Sequence, residues 1–116
     1  ATRIGADAIV VSNHGGRQLD ETSSSISMLP PIVKEVGGKV SVWMDGGIRS
    51  GQDVLKAIAL GADNTLIGRS FCYGIGACGA DGGNKALNIL HQELDMTMAL
   101  CGHRDIGEVD HSILKT

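Results

Sequence analysis

Aromatic residues are nearly missing from this chain: its 116 residues hold one Trp, one Tyr and one Phe, and proline occurs twice. Ring packing is therefore not what shapes it. Basic runs are missing too. The 10 Lys and Arg and 13 Asp and Glu are spread along the sequence for a net charge of -3, so no segment could track a nucleic-acid backbone, and nucleic acid is not an expected partner. Cysteine is scarce and odd in number. Cys72, Cys78 and Cys101 have neither CxxC spacing nor a His pair at zinc-site intervals, which excludes a disulfide framework and leaves no metal site to expect. They read as small buried hydrophobes in a reducing compartment. No apolar stretch approaches the roughly 20 residues that span a bilayer, and the N-terminus lacks the basic region and apolar core of a secretory signal. A cytoplasmic location is the expectation.

What the chain has in quantity is glycine, 17 residues, while its 42% hydrophobic and 20% charged residues lie near the globular average. Such a composition suits tight turns and loops that must approach a ligand closely. The length supports one small core, and nothing divides residues 1–116 into two domains. The first residues, ATRIGADAIVV, run from what reads as a helix end straight into a strand, so a preceding segment is expected.

Three copies of one pattern follow. Ala8 to Val11 is a short, mostly β-branched apolar run, the mark of a parallel strand buried on both faces, and the polar loop SNHGGRQLD follows it. Apolar spacing from Ile26 to Val36 predicts a helix; with Pro30 and Pro31 in its first turn, it covers about Pro31 to Val36. Val40 to Met44 is the second strand, DGGIRSG its loop, and Gln52 to Leu60 its helix. Asn64 to Ile67 is the third strand and GRSFCYG its loop. The segment from Gly82 to Gly102 contains a longer helix with Leu87, Leu90, Leu94, Met98 and Cys101 on one face. Residues 105–116 read as an irregular arm. This alternation predicts an α/β fold with a parallel sheet. Since a closed (β/α)₈ barrel needs eight strands and about 250 residues, the expectation is either a three-stranded open sheet or part of a barrel.

The unusual polar residues all follow strands, on the side where parallel α/β folds build their sites. In Asp45-Gly46-Gly47-Ile48-Arg49 and Gly68-Arg69 the glycines allow backbone N–H groups to approach a phosphate, and the arginines can grip it through paired hydrogen bonds. A plain turn with a surface Arg is the competing reading. His14 and Arg17 stand three residues apart on a glycine-softened loop, so an imidazole able to take a proton near pH 7 and a guanidinium able to hold a carboxylate can face one concavity. A loop His that caps the next helix is the alternative there. His91, His103 and His111 have no such setting and read as surface or packing residues.

SNHGGRQLD, then MDGGIRSGQDVLKAIALGAD, then LIGRSFCYG, resembles the C-terminal section of the FMN-dependent α-hydroxy-acid dehydrogenases and oxidases, in order and over essentially the whole chain. The first motif is the specific one; inosine monophosphate dehydrogenase and other phosphate-binding barrels share loops like the later two. The resemblance implies a partial (β/α)₈ TIM barrel, its sixth to eighth units, in an enzyme that oxidises an (S)-2-hydroxy acid to the 2-oxo acid. His14 is then the base, taking either the α-carbon or the hydroxyl proton, and Arg17 the carboxylate clamp. Ser12 lies near the flavin, and Asp45, Gly46, Gly47, Arg49, Gly68 and Arg69 hold the FMN ribityl chain and phosphate. LNILHQELDMTMALCGHRDI is similar to bacterial lactate dehydrogenases, which favours lactate as substrate. The family's N-terminal substrate tyrosines and flavin-contacting Lys have no counterpart here, so the chain alone is expected to be inactive. Its expected partners are the remainder of the barrel or further copies of itself, and the family's membrane-associated members extend the expectation for the parent enzyme to the inner face of a membrane. A phosphate- or FMN-binding half barrel without catalysis is the alternative.

Overall fold

Strands and helices alternate strictly in the computed structural model, which describes residues 1–115: β1 (Ala8–Val11), α1 (Ser25–Val36), β2 (Ser41–Met44), α2 (Gly51–Ala59), β3 (Asn64–Thr65) and α3 (Arg69–Leu100). The strands lie in the order β1-β2-β3, all parallel, with Ile9 beside Val42, Val11 beside Met44, and Met44 beside Thr65. This is the expected α/β architecture.

The two faces of the sheet differ. Side chains alternate along each strand, so Ile9, Val11, Val42 and Met44 point to the side covered by α1 and α2, where they pack with Leu29, Val36, Ile48 and Ala57. Leu29 and Met44 are fully buried there, each worth about 1.5–3 kcal/mol relative to exposure. The other side carries Val10 and Trp43, paired in register, then Leu66; Val10 is 47% and Leu66 40% exposed. A second cluster, Leu55, Ala59, Met98 and Val109, fastens α3 and the tail onto α2. The tail itself is two short 3₁₀ turns, Ile106–Glu108 and His111–Ile113, in keeping with an irregular arm.

Five expectations need correction. The third strand is two residues, Asn64–Thr65, and stops short of Ile67; β1 is buried on one face, not both, since Val10 is exposed. Helix α1 begins six residues before Pro31, because Ser24 caps it by accepting the Ser27 N–H at 3.3 Å. The prolines therefore sit inside the helix, where each removes a backbone hydrogen bond, and both are exposed. Helix α3 begins at Arg69, thirteen residues before Gly82, so most of GRSFCYG is helical and not loop. It is broken at Cys78 and Gly79, where φ reaches -143° and +60°, and folds back so closely that Gly74 and Gly82 meet backbone to backbone with no room for a Cβ on either. Tertiary contact thus overrides the poor helix propensity of the glycines. Lastly, all three cysteines are exposed, not buried: Cys72 and Cys78 lie on the first arm of α3 and Cys101 just past its end, on faces that no other element of the described residues covers.

Candidate functional site

The loops leaving β1, β2 and β3 meet at the carboxyl ends of the strands around one cavity of about 540 Å³. His14 and Arg17 line it from the first loop, Asp45, Gly46, Gly47 and Arg49 from the second, and Gly68 with the first residues of α3, Arg69 and Ser70, from beyond β3. Eight of the nine residues singled out in the sequence are thereby brought together. Ser12 is the exception. It lines a separate groove beside β1, and its Oγ accepts the His14 N–H at 3.1 Å, so its hydroxyl shapes the loop.

The first loop is a chain of local bonds. Asn13 Oδ1 accepts the Gly15 N–H at 3.0 Å, and the Asn13 N–H donates to Ser25 Oγ at 3.2 Å. The turn places His14 at φ +54°, a left-handed conformation that costs a non-glycine residue about 1–3 kcal/mol. Gly15 and Gly16 follow at +73° and +70°. His14 and Arg17 are both exposed, so the imidazole and the guanidinium are free to engage a ligand from solvent.

The second loop has a different construction. Gly46, at φ +86°, passes over Ser25 so closely that a Cβ there would stand 2.9 Å from Ser25 Oγ and 3.3 Å from Asn13 Oδ1. Ser25 is 3% exposed, a buried hydroxyl joining the first two loops. Gly47 at +93° and Gly68 open onto free space, as a backbone that a ligand must approach requires. Ser50 and Asp53 then form a reciprocal cap on α2, in which Ser50 Oγ accepts the Asp53 N–H and Asp53 Oδ2 accepts the Ser50 N–H. Across the cavity, Arg69 reaches back to the first loop, since a Cβ on Gly15 would stand 3.9 Å from its guanidinium.

The electrostatics favour an anion. Arg17, Arg49 and Arg69 face the cavity with His14, against the single carboxylate of Asp45. Asp45 Oδ1 is buried and has no hydrogen-bond partner among the described residues. A buried acceptor without a donor is costly and calls for one from a ligand, such as a hydroxyl. Arginines, open glycine backbone and an orphaned acceptor together fit a phosphate ester on a polyhydroxylated chain, and Arg17 beside His14 fits a carboxylate whose neighbouring carbon or hydroxyl gives up a proton. Asn13 and Ser70 stood among the polar residues that follow strands, with no role assigned; Ser25, Asp53 and Glu93 were not singled out from the sequence. Of these only Asp53 had a visible signal, the Ser-x-x-Asp spacing from Ser50.

Comparison with known proteins points the same way. The model of the family described as FMN-dependent dehydrogenase matches residues 1–116. A 2-hydroxyacid oxidase of Dictyostelium discoideum is 51% identical over 114 residues, which are 98% of this chain and 29% of that protein. An L-lactate dehydrogenase of Caulobacter sp. (strain K31) is 48% identical over 98% of this chain and 30% of its own length. Among solved structures, a mandelate oxidase variant with a monooxide FMN adduct superposes with a TM-score of 0.91 at 49% identity, over 94% of this chain and 35% of its own. The chain therefore spans about a third of the length of the relatives it matches.

Proposed function

The chain belongs to the FMN-dependent dehydrogenase family, and on that premise we propose that it is the C-terminal portion, residues 1–116, of an FMN enzyme oxidising a 2-hydroxy acid to its 2-oxo acid. The observation that carries this reading is the single cavity, where a proton acceptor and a carboxylate clamp stand opposite a phosphate cradle. FMN fits the cradle: Arg49 and Arg69 would hold its phosphate with the open backbone at Gly47 and Gly68, Gly46 setting the turn over Ser25, and the orphaned Asp45 carboxylate would accept from a ribityl hydroxyl. When bound, the flavin supplies the two-electron acceptor.

This chain's own residues supply binding, orientation and proton handling. Arg17 takes the substrate carboxylate bidentately, which fixes the angle at which the α-carbon is presented. The His14 imidazole receives the substrate proton at a ring nitrogen, and the Arg17 and Arg69 charges nearby favour the build-up of negative charge on the substrate as the proton leaves. Ser12 acts indirectly, by accepting the His14 N–H and so setting the loop.

Lactate is the favoured substrate, supported by relatives described as L-lactate dehydrogenases from several bacteria, although 2-hydroxyacid and mandelate oxidases are as similar. The exposed inner face of the sheet, with Val10 and Leu66, takes the remaining barrel units or a second copy of the chain as its cover. The location is cytoplasmic, with the parent enzyme at the inner face of a membrane as the finer possibility; among the described residues no helix is long and apolar enough to cross one. The test is an FMN titration of the purified chain by flavin fluorescence, followed by anaerobic addition of L-lactate, mandelate or glycolate. We expect binding without bleaching, because these residues span about a third of the length of the relatives they match. Reproducible bleaching would overturn the expectation of an inactive portion, and no FMN binding would leave the cradle dependent on the rest of the barrel. The alternative, a phosphate-binding half barrel that functions without catalysis, draws support from the bonds within the chain that brace Arg49; it is favoured if the chain binds FMN as a stable monomer.

A further inference from the structure

The short stretch that carries Arg49 is held at both ends by a helix remote in sequence. At its start, Ser70 Oγ on the first turn of α3 donates to the Ile48 carbonyl at 3.4 Å. At its end, Glu93 Oε2, 42 positions away on the far arm of α3, accepts the Gly51 N–H at 2.9 Å. Between them Asp53 Oδ2 accepts the Arg49 and Ser50 N–H groups, both at 3.1 Å, and the Ser50 hydroxyl at 2.9 Å. Gly51 is buried, and the place where its Cβ would lie is taken by the α3 backbone at Glu93 and Leu94. The backbone from Ile48 to Gly51 is thus held by Ser70, Asp53 and Glu93, and Arg49 lines the cavity from it.

Glu93 presents a contradiction that decides its role. A carboxylate beside a cradle for anions works against binding through its charge, and α2 already has a reciprocal cap from Ser50 and Asp53. Its Oε2 is nevertheless spent on the first N–H inside α2, joining that turn to the helix that also carries Arg69. We propose that Glu93 is a positioning residue for Arg49: by holding Gly51 against α3 it sets the separation of the Arg49 and Arg69 loops, so that both guanidinium groups meet one phosphate. The proposal rests on the reading of the cavity as a phosphate cradle.

The two effects of Glu93 have opposite signs and separate by substitution. Glu93→Gln keeps an acceptor for Gly51 and removes the charge, so FMN affinity equals or exceeds that of the native chain. Glu93→Ala removes the acceptor, and affinity falls about tenfold. Met98→Ala, which opens the buried contact between α3 and α2 away from the cavity, lowers stability without that loss. In an Arg49→Ala background, Glu93→Ala has no further effect on affinity, because the group it positions is gone. Flavin fluorescence titration of the full 116-residue chain reads all of these, with amide hydrogen exchange at Arg49 and Ser50 measured on the same samples. Native affinity in Glu93→Ala, an equal loss in Met98→Ala, an undiminished loss in the Arg49→Ala background, or a Gln variant as weak as Ala would each overturn the proposal. If the native chain binds no FMN, the cradle reading fails for the isolated chain, and the exchange data decide alone: amides of Arg49 and Ser50 opening about tenfold faster in Glu93→Ala than in Met98→Ala support positioning, and equal rates refute it.

Discussion

One side of the cavity is braced and the other is hung. The loop that carries Arg49 is tied to α2 through Asp53 and to both arms of α3 through Ser70 and Glu93. The loop that carries His14 and Arg17 is a run of bonds between near neighbours, Ser12 to His14 and Asn13 to Gly15, anchored further along the chain through Asn13, which donates to Ser25 Oγ and to the Ser23 carbonyl. The contrast follows the chemistry. A phosphate cradle gains from fixed donors, whereas a loop presenting a base and a clamp to substrate takes its final geometry from what lies against it. In this chain the Arg69 guanidinium reaches that loop at Gly15, and both of the loop's functional side chains are exposed.

The largest expected effect tests the braced side directly. Gly51→Ala drives a methyl into the α3 backbone, which cannot yield as a flexible side chain would, and should cost about 3 kcal/mol or more in urea unfolding. A small loss would mean that α2 and α3 are not held as closely as the contrast requires. Gly46→Ala acts at the seam between the two sides, combining a left-handed backbone with a contact on Ser25 Oγ, and should cost about 2 kcal/mol. Adding Ser25→Ala should return part of that loss, since it removes the atom struck. Arg49→Ala and Arg69→Ala should each weaken FMN binding about tenfold at unchanged unfolding midpoint, and unequal losses would show which loop supplies more of the cradle. The smallest effect is that of Ser25→Ala alone, about 1 kcal/mol, with faster amide exchange in residues 13–17 and little change in residues 46–51. Equal opening of both loops would erase the distinction between them.

Much of this was legible in the residues. β1 is four consecutive apolar positions, and Gly61 ends α2's pattern where the helix stops to within a residue or two. The loops that carry chemistry declare themselves by His, Arg and Gly placed just after strands, and eight of nine such residues share the cavity. What stayed hidden depended on distant partners. The helix from Arg69 runs through glycines whose propensity argues against it, and forms because Gly74 and Gly82 pack backbone to backbone. The Pro30-Pro31 pair suggested a helix start, yet the Ser24 cap and the full burial of Leu29 hold the helix open to Ser25. Cysteine was misjudged because burial depends on what covers a face, and Cys72, Cys78 and Cys101 lie on faces that the described chain leaves open.

The sequence by itself determined the alternation of strand and helix, the side of the sheet on which the site is built, and the residue types available for phosphate, carboxylate and proton. Those are local matters of period, turn chemistry and side-chain chemistry. Only the tertiary structure decided that Ser12 turns to its own loop, that Ser25 lies beneath Gly46, and that Glu93 reaches Gly51 across 42 positions, because a hydrogen bond between distant segments is set by how helices pack and leaves no periodic trace in the chain.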